Sequence, residues 1–186
     1  MKISKSQRSN IIFVIVIAII FFTPVKGYIQ VFISKAKMVI LPPSIDDDGA
    51  IVASFDWNLK GINTKDYNFE SAKGKVVFVN FWATWCPPCR AEMPSIQKLY
   101  DDYGDRIEFV FHTNELESDK VNSFLDKNNY TLPSYNSYNH QPKEFEVSTI
   151  PATFVLDKNG MIVIHEVGAV DWNSEKFRKL LDELLE

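Results

Sequence analysis

Cys86 and Cys89 are the two cysteines of the chain, and they stand three positions apart. Thiols at that spacing suit one reaction. With the first at a helix start and the second in its first turn, the sulfurs share a face and lie close enough to bridge. The free N–H groups and the positive end of the helix dipole then favour a thiolate at Cys86. That thiolate attacks a disulfide of another molecule, and Cys89 resolves the mixed disulfide and releases the reduced product. Taken alone, the pair also fits half of a metal site or an inert structural disulfide. Its neighbours favour the redox reading. Pro87 and Pro88 suit a first helical turn, which has no intrahelical partner for the N–H groups they lack. Trp82 and Trp85 are expected to wall the dithiol, and Trp85 is a candidate substrate contact.

Such a pair needs a strand to deliver it and a helix to receive it. Residues 75–81, KVVFVNF, read as a strand buried on both faces, and a helix over 87–103 closes at Gly104. Short paired strands are expected at 54–62 and 66–70, a strand at 107–112 and a helix at 119–128. A short helix near 143–145 leads to strands 152–156 and 162–167, joined by a hairpin turn at Asp157-Lys158-Asn159-Gly160. A last helix, 174–185, buries Phe177, Leu180, Leu181 and Leu184. The sum is an α/β fold: a central mixed sheet flanked by helices, with an N-terminal hairpin extension. Residues 129–140, rich in Tyr and Asn, read as a polar surface loop open to a part in partner choice. His112, at a strand end, is placed to approach the dithiol, while His140 and His165 carry no recognisable spacing. Trp57 and Trp172 read as packing residues, and Pro94 as a structural kink.

Upstream, Lys2, Lys5 and Arg8 precede an apolar run at 11–22, rich in Ile and Phe and poor in small residues. This is a targeting segment, and its composition favours an uncleaved membrane anchor over a cleaved signal peptide. Three basic residues flank the run on either side, so charge does not set its orientation. Ile29, Phe32, Ile33, Ala36 and Ile40 then fall on one helical face, as in a helix lying at a membrane surface. Pro42-Pro43 ends it, and Asp46-Asp47-Asp48-Gly49 makes a solvated hinge. The expected organisation is a membrane anchor or signal segment at 1–27, an interfacial helix and linker at 28–49, and one catalytic domain at 50–186.

The formal charge of −4 conceals an asymmetry, since all 24 acidic residues follow residue 41, with 14 of the 20 basic ones. A domain this acidic repels phosphate backbones, which excludes nucleic acid as the expected partner. Two cysteines are too few for the disulfide framework of a small secreted scaffold, or for a zinc site built of thiolates alone. Neither a metal nor a separate cofactor is expected; the redox-active group is the Cys86–Cys89 disulfide.

The stretches VFVNFWATWCPPCRAEMP at 77–94 and TIPATF at 149–154 resemble the thioredoxin superfamily, and within it the membrane-tethered TlpA/ResA-type branch. The resemblance covers about residues 50–186. It implies a thioredoxin-like fold, an anchored or secreted domain, and disulfide exchange on protein substrates. It places Pro151 as the family's cis-proline against the cysteine pair, where the Ile150 backbone can pair with an extended substrate segment. Asn80 stands where cytosolic thioredoxins carry a buried Asp that handles protons for the second cysteine. The resembling proteins have Glu at position 92, one turn beyond Cys89. Glu92 is therefore the expected acceptor of the Cys89 proton, with a raised pKa if partly buried.

The function expected is a protein-disulfide reductase, membrane-anchored with its catalytic domain on the periplasmic side, or secreted there if the leader is cut. Its partners would be thiols and disulfides of extracytoplasmic proteins, such as apocytochromes or metal-site cysteines awaiting assembly, and an upstream membrane electron donor. An oxidant or isomerase of the same fold is the alternative, because the exchange is reversible and its direction follows the reduction potential. A copper-handling thiol protein, using both thiolates and a His, is a third reading.

Overall fold

In the computed structural model the described residues are 51–186, together with Arg8, Asn10, Phe13 and Val31, each of which is helical. Apart from those four, the expected anchor and interfacial helix lie outside the described residues. No helix among the described residues is long and apolar enough to cross a membrane.

The strand that ends before the cysteines is β3 (Val77–Phe81), with all five residues buried. Its side chains alternate between two cores, as the period of two requires. Phe78 joins one cluster, with Val76 and Trp82 flanking the strand on that side. Val77, Val79 and Phe81 join the other. Around β3 the chain forms β1 (Asn58–Gly61), β2 (Tyr67–Asn68), β4 (Glu108–His112), β5 (Ser134–Ser137), β6 (Ala152–Leu156) and β7 (Ile162–Val167). The seven strands lie in the order β2-β1-β5-β4-β3-β6-β7. β3, β4 and β5 are mutually parallel, and the remaining pairings are antiparallel.

Three helices connect and close the sheet: α1 (Pro87–Tyr103), α2 (Ser118–Lys127) and α3 (Glu175–Leu185). The crossovers through α1 and α2 step across the sheet in the same direction, so right-handed connection puts both helices on one face. Met93, Ile96 and Leu99 of α1, Val121 and Leu125 of α2, and Phe177 and Leu181 of α3 share a single core. The flanking is thus one-sided. The opposite face is covered by the N-terminal extension, with Trp57 and Phe69, and by Phe145 of a short 3-10 turn. In α3, Phe177 and Leu181 are buried as expected, whereas Leu180 and Leu184 only partly are.

The expected hairpin near 54–70 is present as the antiparallel pair β1–β2, shorter than the sequence suggested. Its second strand gives way to a 3-10 turn, Phe69–Ala72, whose Glu70 N–H donates to the Asn68 side chain. One correction is larger. Residues 134–137, read as part of a surface loop, form β5 inside the sheet between β1 and β4. The strand carries no apolar alternation because its neighbours supply hydrogen-bond partners instead. Ser137 Oγ meets Trp57 Nε1 and His112 Nε2, each at 2.9 Å, and Asn136 Nδ2 donates to the Glu115 carbonyl at 3.1 Å.

Candidate active site

β3 ends at Phe81, a short turn follows, and α1 begins at Pro87 with Cys86 as its N-cap. The two cysteines form a disulfide, with Cα atoms 5.3 Å apart. Cys86 Sγ accepts a hydrogen bond from the Cys89 N–H at 3.2 Å, so a first-turn donor is spent on the sulfur. In the reduced pair the same donor and the helix dipole would stabilise a thiolate there. Pro87 and Pro88 fill the first two helical positions, where no N–H is wanted. Cys86 is 3% exposed and Cys89 0%.

Under the cysteines lies a buried polar group. Asn80 and Thr153 are register partners on β3 and β6, and Asn80 Nδ2 donates to Thr153 Oγ1 at 2.9 Å. The same nitrogen donates to Glu92 Oε1 at 2.9 Å, and the Trp172 indole donates to Glu92 Oε2 at 3.1 Å. Glu92 sits one helical turn after Cys89 and is fully buried. Burial pushes its carboxyl up to about 8, although the Asn80 and Trp172 hydrogen bonds pull the other way. A group poised there can hold or take a proton near neutral pH.

Beside Cys86 opens a cavity of about 750 Å³. Trp82, Trp85, Val147 and Ile150 wall it, and Trp85 is 65% exposed. The Ile150–Pro151 peptide is cis, and the Ile150 carbonyl oxygen lies 3.7 Å from Cys86 Sγ. His112 lines the same cavity. It is neutral, because burial lowers its pKa to about 4.

Residues 52–184 match the Redoxin family. The chain is also 30% identical over 187 residues to the thiol-disulfide oxidoreductase ResA of Bacillus thuringiensis subsp. konkukian, covering 100% of this chain and 97% of that protein. This chain is a ResA-type member of the Redoxin family. It is 36% identical over 118 residues to the thioredoxin-like protein YneN of Bacillus subtilis, 62% of this chain and 69% of that protein. Among solved structures, StoA from Bacillus subtilis matches with a TM-score of 0.52 at 26% identity, over 74% of this chain and 97% of StoA. A thiol:disulfide interchange protein DsbE from Chlorobium tepidum shares the fold, with a TM-score of 0.63 at 23% identity over 75% and 99% of the two chains.

In this Redoxin-family chain, Cys86, Cys89 and Glu92 gather at the amino end of α1, with Trp85, Ile150 and Pro151 around them. Two residues of the site escaped the sequence. Trp172, read as packing, does pack edge-on against Phe78, with ring centroids 5.1 Å apart, but its indole also serves Glu92. Glu115 was not singled out at all; it accepts hydrogen bonds from Thr84, two residues before Cys86. No spacing signal marks either one, since each reaches the site across the fold.

Proposed function

We propose that this ResA-type oxidoreductase reduces protein disulfides by dithiol exchange, with Cys86 as nucleophile and Cys89 as resolving thiol. The observation that carries the proposal is the Cys86 sulfur held at a helix amino end by the Cys89 N–H, next to a cavity lined by its neighbours Trp85 and Ile150. The Cys86 thiolate attacks one sulfur of the substrate disulfide; a mixed disulfide forms and the other substrate sulfur leaves as a thiolate. Glu92, when ionised, takes the Cys89 proton. The Cys89 thiolate then attacks Cys86 Sγ, the substrate departs as a dithiol, and the Cys86–Cys89 disulfide remains. Two electrons have passed to the substrate. Ile150, at the cavity edge, offers its backbone to an extended substrate, and Pro151 holds that edge against the cysteines. Trp85 gives the substrate an exposed aromatic surface.

The proposal extends to location. The apolar run at 11–22, rich in Ile and Phe, supports an anchor, and the likeness to the membrane-tethered TlpA/ResA-type branch supports a domain on the extracytoplasmic side. Substrates there include apocytochrome and metal-site cysteines, and the oxidised pair would be recharged by a membrane electron donor.

Replacing Cys89 by Ser tests the central step. The variant is expected to accumulate covalent adducts with protein disulfides through Cys86, and Cys86→Ser to form none. Absence of adducts from Cys89→Ser would refute the mechanism. The potential of the pair tests direction, because a strongly oxidising value would make the protein an oxidant. Labelling of Cys86 by an impermeant thiol reagent on intact cells tests the side of the membrane.

A further inference from the structure

Between β4 and α2, residues 113–117 carry a carboxylate that nothing in dithiol exchange requires. Glu115 Oε2 accepts from the Thr84 N–H at 2.5 Å, and Oε1 from the Thr84 hydroxyl at 2.6 Å. The side chain is only 9% exposed, and one ammonium, Lys120 Nζ on α2, approaches Oε1 at 3.6 Å. Its own loop is held in place. The Glu115 N–H donates to Thr113 Oγ1 at 3.2 Å, the Thr113 N–H to the Tyr135 carbonyl of β5 at 2.9 Å, and Asn136 Nδ2 to the Glu115 carbonyl at 3.1 Å. The carboxylate thus fastens the turn before Cys86 to the sheet. Short charge-assisted bonds of this kind are about twice as strong as neutral ones.

We infer that Glu115 is a positioning residue that also keeps the Cys86–Cys89 pair reducing, by placing a fixed negative charge beside the thiolate end of α1. Two residues of chain span at most about 7 Å, so the carboxylate lies within roughly 10 Å of the Cys86 backbone. Reduction breaks the Cys86–Cys89 bond, admits two electrons, protonates Cys89 and leaves Cys86 as a thiolate when the pH exceeds its pKa. A nearby anion disfavours that thiolate, hence the reduced form, and the pair gives up electrons more readily. The other charged groups near the turn do not replace it. Arg90 lies over the Phe124 ring, the Glu92 carboxyl is fully buried, His112 is neutral, and Glu146, which lines the same cavity, is exposed to solvent. Lys120 offsets Glu115 in part, and that sets up the test.

The inference rests on the dithiol reading above, and the experiment separates the two. The Cys86 thiol titration and the equilibrium with dithiothreitol are measured for the full chain, Glu115→Gln and Lys120→Gln. Glu115→Gln is expected to lower the Cys86 pKa by about half a unit to one unit. It should also shift the equilibrium toward the reduced pair by roughly three- to tenfold, or about 15–30 mV. Lys120→Gln, which removes an exposed cation, is expected to move both readouts the opposite way. A purely structural role would not produce mirror-image shifts. Wild-type behaviour in both variants, or shifts of the same sign, would overturn the inference. Failure of the unaltered pair to exchange with protein disulfides would instead overturn the function proposed for it.

Discussion

The Trp172 indole donates a 3.1 Å hydrogen bond to Glu92 across a sequence separation of 80 residues, joining the segment before α3 to the helix that bears the cysteines. Both side chains are fully buried, so neither group has water to fall back on. The balance falls on the side of the proton, because lack of solvent outweighs the donors that favour its loss.

That balance makes stability depend on pH. Glu92 ionises near 4.5 when unperturbed and near 8 in the folded protein. Between those values the unfolded chain has released a proton that the folded chain still holds. The contribution of Glu92 is therefore full below about 4.5, declines as pH rises toward about 8, and is flat beyond. The slope is at most about 1.4 kcal/mol per pH unit. Urea midpoints of the oxidised protein should fall across this window, and Glu92→Gln should flatten the decline. An undiminished slope in the variant would assign it to another group.

Trp172→Phe keeps most of the ring and deletes the donor. The Glu92 carboxyl should then titrate higher than in the wild type, as followed by its infrared carbonyl band. Stability should drop by about 1 kcal/mol, the net worth of one buried hydrogen bond. A titration unmoved by the substitution would show that the indole bond does not tune the carboxyl.

Trp85 is exposed, so its removal should leave the fold intact while weakening substrate capture. For Trp85→Ala the urea midpoint should stay within about 0.5 kcal/mol of wild type. KM for a protein disulfide should rise severalfold. An unchanged KM would take Trp85 out of the binding surface.

Ser137 on β5 partners two aromatic side chains at once, Trp57 Nε1 and His112 Nε2. Ser137→Ala should cost about 1–3 kcal/mol, read as a lower denaturant midpoint, because two buried groups lose their partner together. A neutral outcome would mean that another group or water takes over.

The sequence shows the path from β3 through the cysteines to α1 because every signal there is local. A continuous apolar run, a proline pair after the first cysteine and a carboxylate one turn past the second all lie within 16 residues, 77–92. The β6–β7 hairpin is legible for the same reason: two apolar runs meet at a turn that ends in Gly160, where φ is +80°. β5 is not, since Ser134, Asn136 and Ser137 owe their place to hydrogen bonds with residues distant in the chain. Periodicity registers burial of apolar groups and is blind to a polar strand satisfied by its neighbours. Trp172 and Glu115 follow the same logic. Their chemistry comes from what the fold sets beside them.

The near-complete cover over both sulfurs also bears on the side reactions open to them. Peroxide and other diffusing oxidants attack whatever thiolate they can touch, and their products beyond the sulfenic stage do not revert. A sulfur covered to this degree, with Trp85 and Ile150 beside it, meets such oxidants less readily than an open one would.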